Sequence, residues 1–189
     1  ANAIRAVACL PSLIGAWRHA AGGLLLSSSG FYPMNPAELE RPDLYPKGTP
    51  RLLNMSTVGD HLLHAGDASF GPKVEAVIVY NSNPVAIAPE SAKVEQGFAR
   101  EDLFTVVLEH FQTDTVDYAD IVLPATTQLE HSDIHKSYGH RYILLSQQAI
   151  QPLGECKANA EIFRLLAAQM GFTDSCFQDD DLTLAKAAF

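Results

Sequence analysis

The chain of 189 residues has no cluster of positive charge and no long apolar run. Its 13 Lys and Arg residues are outnumbered by 22 Asp and Glu residues, and the formal net charge is −9. Nucleic acids are bound through clustered Lys and Arg, so this charge pattern argues against a nucleic-acid partner. No apolar stretch approaches the roughly 18 residues that predict a membrane-spanning helix, and the first residues lack the order of a signal peptide. We therefore expect no membrane span.

Cysteines and glycine motifs are also sparse. Cys9, Cys156 and Cys176 are an odd number at wide spacings, which fits neither a disulfide framework nor a zinc or iron-sulfur ligand set. We expect ordinary thiols in a reducing compartment, and hence a cytoplasmic protein. No G-x-G-x-x-G motif follows a predicted strand, which argues against an NAD-type Rossmann enzyme.

Three short apolar runs dominate the middle of the chain: Ala76 to Tyr80, Phe104 to Leu108 and Ile121 to Leu123. They are rich in β-branched residues and do not alternate with polar ones, a pattern typical of buried parallel strands. Glu90 to Ala99 has the position of a crossover helix between the first two. The sequence therefore predicts an α/β fold: a doubly wound, mostly parallel Rossmann-like sheet with helices on both faces.

The flanking segments carry weaker signals, and we interpret residues 1–189 as a single domain. An irregular excursion with five prolines is predicted at about residues 32–51. Periodicity and breakers predict the other elements: a helix from Ile4 to near Ala20, a short strand at Leu24 to Leu26 before a serine loop, a helix from Met55 to His64, a loop with helical character from Thr126 to Arg141, an extended segment from Tyr142 to Ile150, a helix from Ala158 to Met170, and a short helix in the acidic tail.

Polar residues follow each predicted strand of the central sheet. The loops Asn81 to Pro84, His110 to Thr115 and Pro124 to Thr127 should gather at one edge, because the carboxyl ends of parallel strands meet there and ligands bind there. Thr113 or Asp114 could cap a short helix and aim free N–H groups at this edge, which is the geometry of an anion site.

Histidines invite a metal hypothesis at two places. His61 and His64 lie three residues apart, and His131, His135 and His140 lie close to Glu130 and Asp133. Neither group follows a recognised ligand pattern, so solvated or hydrogen-bonding side chains are the favoured interpretation.

Four strings in order carry a family resemblance: NSNP, TDTVDYADIVLPATT, LEHSDIHKSYGHRY and NAEIFRLLAAQMGF. The sequence resembles the molybdopterin oxidoreductases, the dimethyl-sulfoxide-reductase-like family with formate dehydrogenases and nitrate reductases, from about Leu13 to Phe172. That family's cofactor is a molybdenum or tungsten ion held by two molybdopterin guanine dinucleotides. The resemblance implies that Asn81, Ser82, Asn83 and Pro84 form a loop near a nucleotide and that Thr113, Thr115 and Asp120 match the T-x-T…AD positions.

The residue types suit such a ligand. Hydroxyl and N–H groups bind phosphate oxygens, and a carboxylate such as that of Asp120 can accept two hydrogen bonds from guanine. We expect all these side chains except that of Pro84 to converge on one groove. The alternative, which stays open, is that Asn81, Asn83 and Asp120 are turn and cap residues that tie the strand ends together.

The resemblance also implies that the chain is an internal, cofactor-binding part of a larger subunit. The family's iron-sulfur cysteines, metal ligand and following domain have no match here. Where family members often have an acidic residue soon after the second strand, this sequence has Glu109 followed by His110. Its partners would then be the remaining domains of the same subunit and an electron-transfer subunit. We expect the isolated chain to hold no cofactor and to be inactive, since redox or oxygen-atom transfer belongs to the complete enzyme. A non-catalytic Rossmann-like binding or assembly module that has lost the cofactor is the alternative.

Overall fold

The computed structural model describes residues 2–25, 27, 29–32, 34–48, 50–137 and 139–189. Its α-helices are α1 (Asn2–Leu13), α2 (Pro36–Glu40), α3 (Val58–Leu63), α4 (Pro84–Ile87), α5 (Ser91–Phe98), α6 (Asn159–Gln169) and α7 (Asp181–Ala187). Its strands are β1 (Gly66–Asp67), β2 (Gly71–Pro72), β3 (Ala76–Tyr80), β4 (Phe104–Glu109), β5 (Ile121–Pro124), β6 (Asp133–Lys136) and β7 (Ile143–Ser146). Among the described helices, none has the length and apolar character needed to cross a membrane.

The centre of the fold is a parallel sheet in the order β3-β4-β5. The three predicted strands are confirmed, and β4 and β5 each extend one residue further than predicted. The crossover helix α5 is confirmed as well, so the chain has the predicted α/β class with a parallel sheet and helices. The antiparallel pairs β1-β2 and β6-β7 form separate two-stranded sheets.

One face of the sheet packs tightly against α3 and α5. Val107 of β4 and Val94 of α5 are fully buried, and Leu62 of α3 is 2% exposed. Gly97 allows the two helices to approach closely, because a Cβ at this position would lie 2.7 Å from the Cβ of Leu62. The main hydrophobic core is therefore the layer between α3, α5 and this face of the sheet.

The opposite face is covered only near the carboxyl ends of the strands. There Phe163 of α6 meets Tyr80 edge-on, with ring centroids 5.5 Å apart, and Leu108 is 1% exposed. Towards the amino ends, Ile78 and Phe104 remain 55% and 49% exposed. Helices do lie on both faces, but their coverage is uneven.

The N-terminal segment differs from its sequence pattern. Helix α1 contains Pro11 but ends at Leu13 and does not reach Ala20. Gly15 adopts a left-handed conformation with φ 65°, which ends the α-helical path, and a 3₁₀ turn follows at Ala16–Arg18. Leu24 and Leu25 are not part of a strand. Leu26 and Ser28, which complete the predicted strand and serine loop, lie outside the described residues.

The proline-rich excursion is irregular as predicted, apart from α2 and a 3₁₀ turn at Pro42–Leu44. It is attached to distant parts of the chain. The Tyr32 hydroxyl lies 2.8 Å and 2.7 Å from the carbonyl oxygens of Ser137 and His140, and Asn35 donates its backbone N–H to the carbonyl of Ala188 at 2.8 Å.

The prediction of a loop with helical character from Thr126 to Arg141 was wrong in one part. Asp133–Lys136 forms β6, which pairs antiparallel with β7. The partner strand β7 lies within the predicted extended segment, and its ladder of hydrogen bonds outweighs the weak local preference of these polar residues. Helices α6 and α7 confirm the two helices predicted near the C-terminal end.

Candidate functional site

A cavity of ≈ 970 Å³ lies at the carboxyl ends of β3 and β4. Tyr80 and Asn81 border it after β3, and Glu109 and His110 border it at the end of β4. The far wall comes from the β6-β7 hairpin, α2 and α7. The lining residues from these and neighbouring parts include Met34, Leu39, Thr126, Gln128, His131, Asp133, Leu145, Ala158, Asn159, Asp181, Leu182 and Leu184. The predicted ligand edge is thus an actual concave site.

Asn81 is the predicted residue that faces this cavity. Its backbone has φ 52°, a left-handed conformation that Asn tolerates better than most residues. Its Oδ1 accepts a hydrogen bond from Nδ2 of Asn159 at 3.4 Å. The Oδ1 of Asn159 is buried and has no hydrogen-bond partner in the described part of the chain, so an acceptor at the cavity wall is left without a protein donor.

Asn159 is also the first residue of α6, whose N-terminus borders the cavity. The preceding residue, Ala158, offers no side chain to cap the first N–H groups. An 11-residue helix whose first N–H groups are not capped concentrates partial positive charge at this end. The cavity wall therefore combines amide side chains with an end of a helix that favours anions.

Asn83 and Thr115 do lie close together, but their polar atoms form hydrogen bonds with each other. The Asn83 Oδ1 accepts from the backbone N–H of Thr115 at 3.2 Å and from its hydroxyl at 2.7 Å. The Thr115 Oγ1 in turn accepts from the N–H of Val85 at 3.2 Å, and Thr115 is fully buried. These contacts support the alternative interpretation for Asn83 and Thr115: the two side chains link the loops after β3 and β4 by hydrogen bonds and hold them in position.

The other predicted site residues of these two loops lie near the hydrogen-bonded pair Asn83 and Thr115. The Asn83 Nδ2 donates to Asp114 at 3.0 Å, and this hydrogen bond holds the pKa of the Asp114 carboxyl below its usual value. The Thr113 Oγ1 is buried without a partner among the described residues. Pro84 begins α4, and Ser82 is half-buried beside it. None of Ser82, Asn83, Pro84, Thr113 and Thr115 lines the cavity.

The anion site predicted at the start of a helix near Thr113 is not formed. The segment Val116–Tyr118 is a three-residue 3₁₀ turn, and the N–H groups of Thr115 and Val116 are bonded to Asn83 and to the carbonyl of Thr113. Instead, the helix end that borders the cavity is the N-terminus of α6, where no side chain of the described residues caps the first N–H groups.

Asp120 lies at the opposite edge of the sheet. It precedes β5, and its Oδ2 accepts from the N–H of Thr105 at 2.7 Å near the start of β4. Its own N–H donates to the Thr105 carbonyl at 2.9 Å. The predicted convergence is therefore wrong for Asp120, since a residue before a parallel strand must lie at the amino edge, away from Asn81.

The sequence did not single out Glu130 as a structural residue. Glu130 is 7% exposed as a residue. Its carboxylate accepts hydrogen bonds from the N–H and hydroxyl of Thr127 at 2.7 Å and 2.9 Å and from the N–H of Leu153 at 2.8 Å. The hydrogen bonds from Thr127 and Leu153 lower the pKa of Glu130. Its position three residues after Thr127 is the spacing of a turn closed by a side chain, which is the signal that could have identified it.

The histidines and cysteines show no arrangement typical of a metal site among the described residues. The imidazole of His131 lies 2.8 Å from the Thr126 hydroxyl, and that of His61 lies 3.0 Å from the Thr57 hydroxyl. Within the described ranges, no group of three His, Cys, Asp or Glu residues is placed to hold a metal ion. Cys9, Cys156 and Cys176 are free thiols.

Residues 54–169 match the family model described as molybdopterin oxidoreductase. This match covers more than half of the chain and includes the strand ends, the β6-β7 hairpin and the start of α6 at the cavity, but not the parts of its wall that α2 and α7 supply. The chain belongs to the molybdopterin oxidoreductase family. Its members bind a molybdopterin cofactor, so the cavity at the strand ends is the candidate site for it.

Relatives of this molybdopterin oxidoreductase domain are much longer proteins. The chain is 46% identical over 185 residues to the probable oxidoreductase YoaE of Bacillus subtilis, covering 98% of this chain and 26% of that protein. It is 33% identical over 116 residues to the dimethyl sulfoxide/trimethylamine N-oxide reductase of Cereibacter sphaeroides, covering 60% and 14%. The structure resembles acetylene hydratase from Pelobacter acetylenicus with a TM-score of 0.61 and 25% identity, covering 72% of this chain and 18% of the hydratase.

Proposed function

We propose that this chain is a molybdopterin-guanine-dinucleotide-binding domain of a molybdenum or tungsten oxidoreductase. The observation that carries the proposal is the cavity at the carboxyl ends of β3 and β4, where Asn81 and the N-terminus of α6 meet. In parallel α/β sheets this edge is the usual place for a nucleotide. The family match supplies the pterin class of ligand.

The residues at the cavity wall fit a dinucleotide in their chemistry. The first N–H groups of α6 suit the oxygens of a pyrophosphate, and the Oδ1 atoms of Asn159 and Asn81 are acceptors for the N–H groups of a base or pterin. Asn83 and Thr115 support this arrangement by holding the loops after β3 and β4 together. The metal and pterin supply the redox chemistry when bound, while these residues bind and orient the cofactor.

In this proposal, catalysis requires a longer polypeptide that contains this domain, together with an electron-transfer partner. The chain spans about a quarter of the length of YoaE, and the reactions of the relatives are those of complete proteins. The isolated chain would then contain no stoichiometric molybdenum or tungsten. Elemental analysis that found one such metal per chain would contradict this part of the proposal.

A non-catalytic module that has lost the cofactor is the second candidate. The Asn83–Thr115 tie favours it, because both side chains are satisfied within the protein. Asn81 and the Asn159 Oδ1 favour a ligand, because they border an open cavity and the Asn159 oxygen lacks a donor. The cavity and this oxygen are the observations that distinguish the two candidates.

The test uses the polypeptide encoded by the complete reading frame. After heating in acid with iodine, which oxidises the pterin and hydrolyses the pyrophosphate bond, we expect a fluorescent oxidised pterin and released guanosine monophosphate, measured by liquid chromatography, with molybdenum or tungsten by mass spectrometry. Absence of pterin from correctly folded protein would support the non-catalytic module. Pterin without a guanine nucleotide would restrict the proposal to the pterin.

Two charge substitutions test the cavity itself. Asn159→Asp places a carboxylate at the start of α6, which stabilises a helix N-terminus but repels phosphate. We expect a nearly unchanged melting temperature, because the favourable charge at the helix end offsets the loss of the 3.4 Å hydrogen bond from Asn159 Nδ2 to Asn81. Pterin affinity should fall about ten-fold or more, equivalent to about 1.4 kcal/mol. Asn81→Asp should also lower retention. Gln151→Glu adds the same charge at an exposed position outside the cavity lining and should leave retention unchanged.

A further inference from the structure

The cavity at the carboxyl ends of β3 and β4 contains few groups that can carry a positive charge. Its titratable side chains are the carboxylates of Glu109, Asp133 and Asp181, the imidazoles of His110 and His131, and the phenol of Tyr80. Among the described residues, no Lys or Arg lines this cavity, although their side chains are the usual partners of phosphate oxygens. A ligand with phosphate groups must therefore be held by other positive groups.

Two of the three carboxylates have no permanent cation beside them. Arg164 of α6 donates to Oδ1 of Asp181 from both terminal nitrogens, each at 3.1 Å, and neutralises that charge. In the described part of the chain, Glu109 and Asp133 form no ion pair with a Lys or Arg. The N-terminus of α6 supplies only about half of one positive charge. A bound phosphate would therefore be repelled unless another group at the cavity became positive.

His131 can take up a proton without losing its contacts. Its Nδ1 lies 2.8 Å from the hydroxyl of Thr126, and its Nε2 lies 4.0 Å from Oδ2 of Asp133. A hydroxyl rotates to donate to a neutral imidazole or to accept from a charged one, and the carboxylate of Asp133 pairs with the charged ring. The side chain of His131 is 25% exposed. The ring is thus held at the cavity wall in either protonation state.

His110 is the second imidazole at this wall. It directly follows β4, is exposed, and donates its backbone N–H to Oε1 of Glu109 at 2.7 Å. It also lies close to Glu130: the pKa of that carboxyl is lowered first by the hydrogen bonds from Thr127 and Leu153 and further by the imidazole of His110. Two carboxylates therefore stabilise a positive charge on this ring.

We propose that His110 and His131 are the side chains that bind the phosphates of the cavity's ligand, and that their imidazoles take up protons when the ligand binds. Histidine is the side chain whose charge changes between about pH 5 and 8. The protonated rings attract phosphate, so the affinity is highest at the acidic end of this range and falls as the pH rises. This inference rests on the proposed dinucleotide function and adds a pH dependence to it.

The experiment measures the binding of guanosine diphosphate mannose to the polypeptide encoded by the complete reading frame, produced in a host that cannot synthesise the pterin. The pyrophosphate of this probe is esterified at both ends, as in a dinucleotide, so the probe itself does not titrate in this range. Isothermal titration calorimetry gives the affinity, and the heats in buffers of different ionisation enthalpy give the number of protons taken up. We expect an affinity about ten-fold or more higher at about pH 5.5 than at about pH 8, with net proton uptake between them.

Three variants assign the protons to their residues. His110→Gln and His131→Gln should each reduce the proton uptake and lower the affinity at about pH 5.5, with little change at about pH 8, where the rings are neutral in the wild type. A purely structural role would lower the affinity equally at both pH values. His135→Gln is the matched control, because His135 lies on β6 but outside the cavity lining, and it should behave as the wild type.

Several outcomes would overturn the proposal. Equal affinity at both pH values without proton uptake would show that the histidines do not bind the phosphates, while the dinucleotide function would stand. Unchanged proton uptake in a folded variant that carries both His110→Gln and His131→Gln would assign the protons to other groups. Absence of binding at every pH, by a polypeptide whose circular dichroism shows that it is folded, would contradict the dinucleotide function as well.

Discussion

The first 53 residues and the segment from Val58 to Thr126 bury their apolar side chains to very different extents. In the first region Ile4, Leu13 and Leu52 are 68%, 81% and 90% exposed, and Tyr32 is the buried apolar side chain among its described residues. In the second region the main core runs from Leu62 to Val107. Apolar composition alone therefore does not produce a core.

The difference lies in what each region has to pack against. Strands β3 and β4 and helices α3 and α5 are close in sequence and supply one another with a partner surface. Among the described residues, helix α1 contacts mainly the 3₁₀ turn that follows it, and no other helix or sheet there forms a layer over its apolar side chains. The stability of the 189-residue chain should consequently reside in the second region.

The largest expected effect comes from a cavity in that core. Leu62→Ala removes a side chain that is 2% exposed, which should lower the free energy of unfolding by about 2–5 kcal/mol. Leu52→Ala makes the same chemical change at a 90% exposed position and should cost less than about 0.5 kcal/mol. Urea unfolding followed by circular dichroism measures the free energy of unfolding of both variants. Similar losses of stability in the two variants would contradict the conclusion that the two regions differ in their contribution to stability.

A smaller loss is expected where α3 and α5 approach. Gly97→Ala would force a Cβ against Leu62, so we expect a loss of about 1–3 kcal/mol from overpacking. Helix propensity alone would predict that Gly97→Ala raises the free energy of unfolding by up to about 1 kcal/mol. The sign of the measured change therefore decides between overpacking and helix propensity. At Gly30 in the first region nothing lies within 4 Å of an added Cβ, and Gly30→Ala should be nearly neutral.

Asp120→Ala should cost about 1–2 kcal/mol, because the N–H of Thr105 loses its carboxylate acceptor. Asp120→Asn keeps an acceptor oxygen and should recover most of the stability. Pterin retention per folded molecule in the complete polypeptide should be normal in both variants, since Asp120 lies at the edge opposite Asn81. Loss of pterin with unchanged stability would restore a ligand role for Asp120.

The smallest effect is a pH dependence at Glu130. Its pKa is lowered in the folded protein, so the carboxylate stabilises the fold above the unfolded value of about 4.3, and this contribution is lost as the pH falls through the folded value. The difference in melting temperature between the wild type and Glu130→Gln should therefore narrow as the pH is lowered from 7 to 3.

The sequence by itself determined the central strands, the crossover helix α5, helix α6 and the family. These segments are recognisable because local pattern and tertiary environment agree: a β-branched apolar run becomes a buried strand, and 3.6-residue periodicity with Gly171 after it becomes a helix. The position of Asn81 at the cavity beside the carboxyl ends of the strands also followed from its place after β3.

Only the tertiary structure decided how individual polar side chains are used. Asn83 and Thr115 are 32 residues apart, and Asn81 and Asn159 are 78 apart, so neither contact can be inferred from local spacing. The strand β6 depended on pairing with β7, and the end of α1 depended on the left-handed conformation of Gly15. Hydrogen bonds and strand pairs of this kind depend on which distant groups the folded chain brings within reach, and a linear pattern does not contain that distance.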